Sequence, residues 1–286
     1  MEETKLWRVS EQIRDFVLTH TDSGRKVPVR EYSAAGQPRG WVLYSVGFGG
    51  QVSGYSFLGR RWSSMGLSTF VVEHVGSNLE VLKSLGSGSR EERNARVVRR
   101  VQDQKELRAR PRDLQLVHRV LSERFSGLPL GLGGHSYGSF TVLAASGLSA
   151  GTLEETALCL KADALLLISP QPPGMLFAPA EYRKVEAPCL LLTGTEDHLL
   201  DGSASYTERL EVFRFLPEEY RYLAVLRGTE HMAFAGLGLK IAEHVKATRD
   251  LTAAWWERTL LGVSSEAPWP RQAVAAVGEE RIEQCR

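Results

Sequence analysis

Residues 128–138 of the chain read Leu128-Pro129-Leu130-Gly131-Leu132-Gly133-Gly134-His135-Ser136-Tyr137-Gly138 and are the most informative about its fold. It begins as a short apolar run typical of a buried strand, and a helical pattern starts directly after it at Ser139. Between the two lies Gly-x-Ser-x-Gly, whose small residues two before and two after the serine permit a very tight strand-to-helix turn. The pattern predicts that this turn lifts the Ser136 hydroxyl clear of the sheet as a nucleophile. The alternative is an ordinary glycine-rich turn with a buried serine.

Short strand-like runs alternate with helical segments on both sides of this turn. Strands are predicted at 14–19, 27–32, 41–46, 68–73, 128–132, 164–168, 189–192 and 222–226, and helices at about 54–65, 111–125, 137–149, 203–213 and 239–260. The later strands are continuously apolar, as strands buried on both faces of a parallel sheet require. The sequence therefore predicts an α/β fold with a mostly parallel central sheet of eight strands, helices on both faces and an antiparallel pair at one edge.

The domain organisation predicted from these runs is a single α/β domain over residues 1–262 and a C-terminal tail over 263–286, which has no clear core pattern. A charged, arginine-rich insertion at 83–112 interrupts the alternation of strands and helices. A solvated, salt-bridged helix is the simpler interpretation of this insertion. The alternative is a cover over the functional site or a contact for an anionic partner.

The overall composition excludes several classes of protein. The 35 basic and 34 acidic side chains leave a net charge of +1, so we expect no nucleic acid partner. No apolar run is long enough to span a bilayer, and the first residues lack the pattern of a secretory signal. The three cysteines are too widely spaced for a disulfide framework or a zinc site. We expect a cytoplasmic protein with no membrane span, metal or cofactor; the sequence does not indicate an oligomeric state.

A serine hydroxyl is a poor nucleophile at neutral pH and needs a base that a third group orients. In a sheet of this kind the chain order is serine, acid, then histidine. His231 follows the last predicted strand and precedes the last long helix, at a strand end where catalytic groups gather in open α/β sheets. We therefore predict His231 as the base for Ser136. His74, after the strand at 68–73, is a further candidate for the lining of the pocket.

The acid is predicted in the segment that follows the strand at 189–192, which reads Thr193-Gly194-Thr195-Glu196-Asp197-His198. Asp197 is the better candidate, because the chain must turn after Gly194 and bring one carboxylate back toward His231. Glu196 is the alternative, and Asp201 is a weaker third possibility.

Two main-chain N–H groups are predicted to stabilise a negatively charged oxygen of the substrate. One belongs to Tyr137, which directly follows the nucleophile, and the other to Phe48 in the glycine-rich loop after the strand at 41–46. That loop lacks the glycine spacing and the lysine of a nucleotide site. The side chains predicted to line an apolar substrate pocket are Met175, Phe177, Met232 and Phe234, with core packing as the alternative for each.

Several of these motifs together resemble a known family. They are Val46-Gly47-Phe48-Gly49-Gly50, Glu73-His74-Val75-Gly76-Ser77-Asn78, Arg110-Pro111-Arg112-Asp113, the serine turn, Gly194-Thr195-Glu196-Asp197 and His231-Met232-Ala233-Phe234. In this order they resemble the dienelactone-hydrolase-like and platelet-activating-factor-acetylhydrolase-like branch of the α/β-hydrolases, over roughly residues 12–260. The resemblance implies an α/β-hydrolase fold and a triad of Ser136, Asp197 and His231, with Phe48 and Tyr137 as oxyanion donors.

This chain departs from the family pattern at four points. Val46 stands in place of a histidine, Val75 in place of a proline, and Gly138 is followed by serine rather than by glycine. True dienelactone hydrolases use a cysteine where this chain has Ser136. The resemblance therefore implies a reaction class, the hydrolysis of a carboxylic ester, more strongly than a substrate. Together with Ser136 and the apolar side chains predicted to line the pocket, it leads us to expect a serine hydrolase that cleaves an ester, or a thioester, of a small apolar molecule. An acyltransferase or biosynthetic thioesterase using the same acyl-enzyme, or a non-catalytic binding protein on this fold, are the alternatives.

Overall fold

The computed structural model describes residues 13–150, 159–198, 205–238, 241–263 and 267–286. Over these ranges the strands are β1 (Ile13–Thr19), β2 (Lys26–Tyr32), β3 (Gly40–Ser45), β4 (Leu67–Val72), β5 (Leu130–His135), β6 (Ala164–Ile168), β7 (Cys189–Glu196), β8 (Arg221–Glu230) and β9 (Ile282–Cys285). They form one sheet in the order β1-β2-β4-β3-β5-β6-β7-β8-β9. The strands from β4 to β8 in this order pair in parallel, and β1, β2 and β9 pair antiparallel at the two edges.

The predicted α/β architecture is confirmed, but the described sheet has one strand more than the eight predicted. The additional strand, β9, pairs with residues 224–226 of β8 and lies in the segment interpreted as a tail. It is four residues long with one buried side chain, Ile282, which is too short for an alternating pattern to be recognised. The helix before it docks through Trp269, which is 2% exposed and donates its indole N–H to the Leu223 carbonyl oxygen at 3.0 Å.

The helices are α1 (Ser56–Ser64), α2 (Leu79–Ser84), α3 (Arg90–Val101), α4 (Gln104–Leu121), α5 (Tyr137–Ala145), α6 (Tyr206–Phe215), α7 (Ile241–Thr259) and α8 (Trp269–Val277). The starts predicted at 203 and 239 lie outside the described residues. None of the described helices combines the length and the apolar character needed to cross a membrane.

The core lies on both faces of the sheet, because successive side chains of a strand point to opposite sides. In β3, Trp41 and Leu43 contribute to one core, which is covered by α3 to α6. Val42 and Tyr44 contribute to the other core, which is covered by α1, α7 and α8. The helices therefore cover both faces, as predicted.

The charged segment 83–112 falls on the end of α2, on α3 and on the first half of α4. A reciprocal capping box starts α3: the Ser89 hydroxyl accepts from the Glu92 N–H, and the Glu92 carboxylate accepts from the Ser89 N–H. Val97 and Val101 are buried in the core, while most of the charged side chains on α3 are exposed or half-buried. A role as a cover remains a prediction.

Candidate active site

Ser136 occupies the turn between β5 and α5, with a φ of 54° and a ψ of −121°. A non-glycine residue is strained in this conformation and keeps it only where the surrounding structure enforces it. The neighbouring glycines permit the turn: a Cβ on Gly134 would lie 2.3 Å from the Gly138 backbone, and one on Gly138 would lie 2.0 Å from the Ser45 carbonyl oxygen. The strand, tight turn and helix predicted from the sequence are thus confirmed.

Ser136, His231 and Asp197 form a hydrogen-bonded series. His231 Nε2 lies 3.0 Å from Ser136 Oγ, and His231 Nδ1 lies 2.8 Å from Asp197 Oδ1. The three residues follow β5, β8 and β7 directly, and the parallel sheet brings these carboxyl ends to one edge. One imidazole nitrogen therefore faces a partly exposed hydroxyl while the other is held by a carboxylate.

Asp197 is 0% exposed and is nevertheless held as an anion. Burial alone would raise the pKa of this carboxyl, but attraction by His231 and Arg209 outweighs burial and holds the pKa well below its ordinary range. The Thr193 hydroxyl donates to Asp197 Oδ2 at 2.8 Å, and Arg209 Nε lies 3.1 Å from Oδ1. A buried carboxylate in this state can orient the imidazole and stabilise its protonated form.

Two residues around His231 were not identified in the sequence analysis. Ser169, directly after β6, has a φ of 52°, and its Oγ lies 2.6 Å from His231 Nδ1. Arg209 on α6 is 2% exposed and donates to the main-chain oxygen of Asp197 at 3.1 Å. Ser169 carries a usable signal, since it is the first polar residue after the apolar run at 164–168. Arg209 carries no such signal, because it is one of several charged residues on α6.

His135 connects the serine turn to the loop that carries His231. The Tyr55 hydroxyl donates to His135 Nδ1 at 2.9 Å, and His135 Nε2–H donates to the His231 carbonyl oxygen at 3.1 Å. Burial and the nearby His231 hold the pKa of His135 well below its ordinary value, so this imidazole is neutral, as the two bonds require. His135 thereby holds the backbone of His231 in place.

The loop after β3 and the start of α5 each present a free main-chain N–H group. Gly49 donates to the Ser77 carbonyl oxygen at 2.7 Å, whereas the N–H of Phe48 has no acceptor among the described residues. Tyr137 is the first residue of α5, and its N–H likewise has no acceptor within the described ranges. Two donors are thus left unpaired on segments that meet beside Ser136.

The predicted pocket side chains differ in how far they reach solvent. Phe177 is 2% exposed and stacks on Phe140 with 5.0 Å between ring centroids, and Phe234 is 0% exposed beside His135. Both aromatic side chains pack as core residues in this structure, and their part in a substrate pocket stays a prediction. Met232 is 41% exposed and Met175 is half-buried, and their part in substrate binding remains a prediction.

Glu196 and His74, two of the other candidates, lie apart from the series. The Glu196 carboxylate is 56% exposed and lies 3.5 Å from His198 Nε2, and Asp201 lies outside the described residues. His74 is 0% exposed and is hydrogen-bonded to Asp113, so it does not line an open pocket. Within the described ranges, no group of three or more His, Cys, Asp and Glu side chains is arranged to hold a metal ion.

The sheet order, the covering helices and the serine turn between β5 and α5 together define the α/β-hydrolase fold. Among solved structures, the chain is similar to the dienelactone hydrolase from Anabaena variabilis. The two share 17% sequence identity at a TM-score of 0.55, over 87% of this chain and 99% of the other. No protein-family model and no curated protein matches the sequence.

Proposed function

We propose that this protein is a serine hydrolase that cleaves a carboxylic ester or thioester of a small apolar molecule through an acyl-enzyme. The observation that carries the proposal is the series from Ser136 through His231 to the buried Asp197, with contacts of 3.0 and 2.8 Å. A hydroxyl, an imidazole and an ionised carboxylate in this order supply a nucleophile, a general base and the group that orients the base. The structural neighbour's name, a lactone hydrolase, agrees with ester chemistry.

In the proposed reaction, His231 Nε2 removes the Ser136 proton as the hydroxyl oxygen attacks the carbonyl carbon of the substrate. The N–H groups of Phe48 and Tyr137 bind the resulting oxyanion. Asp197 stabilises the imidazolium, which then protonates the leaving alcohol or thiol. A water molecule, deprotonated by His231, attacks the acyl-enzyme and releases the acid, which restores the free serine. Met175 and Met232 are proposed to contact the acyl or alcohol part.

Turnover of p-nitrophenyl esters and acyl thioesters of increasing acyl length tests this proposal. We expect the wild type to turn over the short esters, and Ser136→Ala to lose about 10⁴–10⁶-fold in kcat. Ser64→Ala, which changes an exposed serine on α1, should match the wild type. Retention of turnover by Ser136→Ala would exclude this serine as the nucleophile.

The same acyl-enzyme could pass its acyl group to an alcohol or amine instead of water, as an acyltransferase does. Added methanol separates the two reactions: a hydrolase yields mainly free acid at low methanol concentration, whereas a transferase yields mainly the methyl ester. A non-catalytic binding protein would bind the esters and release no product. The two free N–H groups beside Ser136 favour an enzyme over such a binding protein, because they suit an oxyanion.

A further inference from the structure

Arg110 on α4 is a buried cation without a carboxylate partner. Arg110 is 0% exposed, and none of the ion pairs in the described part of the chain includes it. Burial of an unpaired charge is costly, so the guanidinium must be held by other groups. Four oxygen atoms accept its hydrogen bonds: the Val46 main-chain oxygen and the hydroxyls of Ser45, Ser77 and Thr141. We call Arg110 and these acceptors the Arg110 clamp.

One side of the Arg110 clamp holds the loop that carries Phe48. Arg110 Nη2 donates to the Val46 main-chain oxygen at 2.5 Å, and Nη1 donates to Ser77 Oγ at 2.6 Å. The main-chain oxygen of Ser77 in turn accepts from the Gly49 N–H at 2.7 Å. The chain is therefore fixed on both sides of Phe48, directly at Val46 and through Ser77 at Gly49.

The other side of the Arg110 clamp holds the start of α5. Arg110 Nε donates to Thr141 Oγ1 at 2.7 Å, and the Thr141 hydroxyl donates to the Tyr137 main-chain oxygen at 2.9 Å. The guanidinium carbon also lies 4.2 Å from the centroid of the Tyr137 ring, a close cation–π contact. One side chain thus contacts both segments that carry free N–H groups.

A buried series of hydrogen bonds from Asp113 through His74 to Ser45 orients the guanidinium of Arg110. Asp113 Oδ2 lies 2.8 Å from His74 Nδ1, His74 Nε2 lies 2.9 Å from Ser45 Oγ, and Arg110 Nη2 donates to Ser45 Oγ at 3.2 Å. Burial and the charge of Arg110 lower the pKa of His74 to about 3. The neutral imidazole donates to Asp113 and accepts from Ser45, whose oxygen is left to accept from Arg110. Ser45 is 0% exposed and cannot meet a substrate, so this second Asp-His-Ser series is structural.

We propose that Arg110 is a positioning residue for the oxyanion hole, because its single guanidinium sets the separation of the Phe48 and Tyr137 N–H groups. The inference rests on the proposed function, since it assigns a support to the same site. Arg110 does not touch the substrate in this account. Its loss would let the two donors move apart. This would weaken their binding to the transition state more than their binding to the substrate. The expected signature is a fall in kcat with KM little changed.

Arg110→Met tests the proposal, because it keeps a long apolar side chain and removes all the hydrogen bonds. We expect kcat for a p-nitrophenyl ester to fall about 10²–10³-fold, the loss typical of one missing oxyanion donor. Affinity for an aryl boronic acid, which forms a tetrahedral adduct with the serine, should fall in parallel. Ser77→Ala releases only the Gly49 side of the clamp and should cost about tenfold in kcat.

Thr252→Val is the matched control for a purely structural effect. Thr252 is 0% exposed on α7 and accepts a hydrogen bond from the Trp62 indole, away from the clamp. It should lower the Tm and leave kcat unchanged. If folded Arg110→Met keeps the wild-type kcat, or if Thr252→Val loses kcat equally, the inference is overturned. If Arg110→Met does not fold, Ser77→Ala decides, and an unchanged kcat in that variant overturns the inference.

A readout without turnover separates this inference from the proposed function. If the wild type hydrolyses no ester, the proposed function fails, and amide hydrogen exchange of residues 46–50 then tests the clamp alone. Faster exchange of this segment in Arg110→Met or Ser77→Ala than in Thr252→Val supports the clamp. Equal exchange in these variants overturns it.

Discussion

Asp197 and Glu196 are adjacent carboxylates at the end of β7, yet their surroundings differ completely. The Asp197 N–H donates to the Gly194 carbonyl oxygen at 3.0 Å, which closes the turn and points this residue back into the protein. The Asp197 side chain is 0% exposed and contacts His231, whereas the Glu196 side chain is 56% exposed. The turn after Gly194 therefore separates an interior carboxylate from a surface one.

Asp197→Asn should lower kcat about 10⁴-fold without loss of the fold. The amide keeps the shape of the carboxylate, but it can neither hold the Nδ1–H tautomer of His231 nor stabilise the imidazolium. Glu196→Gln is the matched control and should keep kcat within twofold of the wild type. Steady-state ester kinetics and far-UV circular dichroism on both variants measure this. The opposite ranking, with Glu196→Gln the more impaired, would contradict the assignment of the acid.

The sequence predicts the residues of the serine series better than the residues that hold them. Ser136, Asp197 and His231 each follow an apolar strand in a short motif, so their common edge follows from the parallel sheet alone. Arg209 lies in no recognised motif, and Arg110 lies in a motif of the resemblance that assigns it no role, so the part that each plays depends on how its helix packs. A helical pattern predicts which face is apolar, but it does not predict which buried polar group a given arginine will reach.

At the scale of the elements, α4 joins the N-terminal hairpin to the centre of the sheet. Arg25, just before β2, binds Glu106 at 2.9 Å and Asp113 at 2.9 Å on α4, and His20 Nε2 lies 3.0 Å from Asp113. Asp113 also accepts from His74 after β4. One helix face thus binds polar side chains from two separate parts of the chain, the turn between β1 and β2 and the segment after β4, and its docking depends on these bonds.

We expect acid to weaken this docking from pH 6.5 downward. The folded pKa of His74 is about 3, below its ordinary value of 6.5, so between these values the unfolded chain binds a proton that the folded chain excludes. Stability therefore falls with falling pH, by about 1.4 kcal/mol per unit for one such group. Burial also lowers the pKa of His135, so this residue contributes to the same loss of stability in acid.

A second loss follows at lower pH. Burial alone would raise the pKa of Asp113, but its bonds from His20, His74 and Arg25 hold the pKa below the ordinary value of 3.8. Its stabilising effect is complete above that value and is lost as the pH falls below it.

Urea unfolding at pH 7.5, 6.5, 5.5 and 4.5 tests the effect of His74. In His74→Gln, the free energy of unfolding should fall less steeply from pH 6.5 to 4.5 than in the wild type. A constant free energy of unfolding from pH 6.5 to 4.5 in the wild type would contradict this account.

For the whole molecule, the arrangement of the sheet explains why the site forms where it does. β5 to β8 are neighbours in the sheet in the same order as in the sequence, so the residues that directly follow them lie on adjacent strands at one edge of the sheet. β3 lies between β4 and β5, which places the loop of Phe48 next to the serine turn. The sequence predicts the strands and their parallel character. It does not predict the place of β3 in the sheet, because that order is set by how the crossover helices pack rather than by the strands themselves.

The edge strand β9 is a second feature of the sheet that the sequence does not predict. β9 is held by a few main-chain bonds to β8 and by packing of α8, and its four residues lack a pattern of their own. Such an edge strand forms because the rest of the sheet offers unpaired main-chain groups. Its existence is a property of the assembled fold.

Labelling with a fluorophosphonate is the sharpest test of our proposal that the fold positions Ser136 as an activated nucleophile. Intact-mass measurement and peptide mapping of the folded wild type should show a single adduct, on the peptide containing Ser136. The adduct should be absent from Ser136→Ala and should form much more slowly in His231→Gln, because the base is lost. An unlabelled wild-type protein, or an adduct on a different residue, would contradict the account.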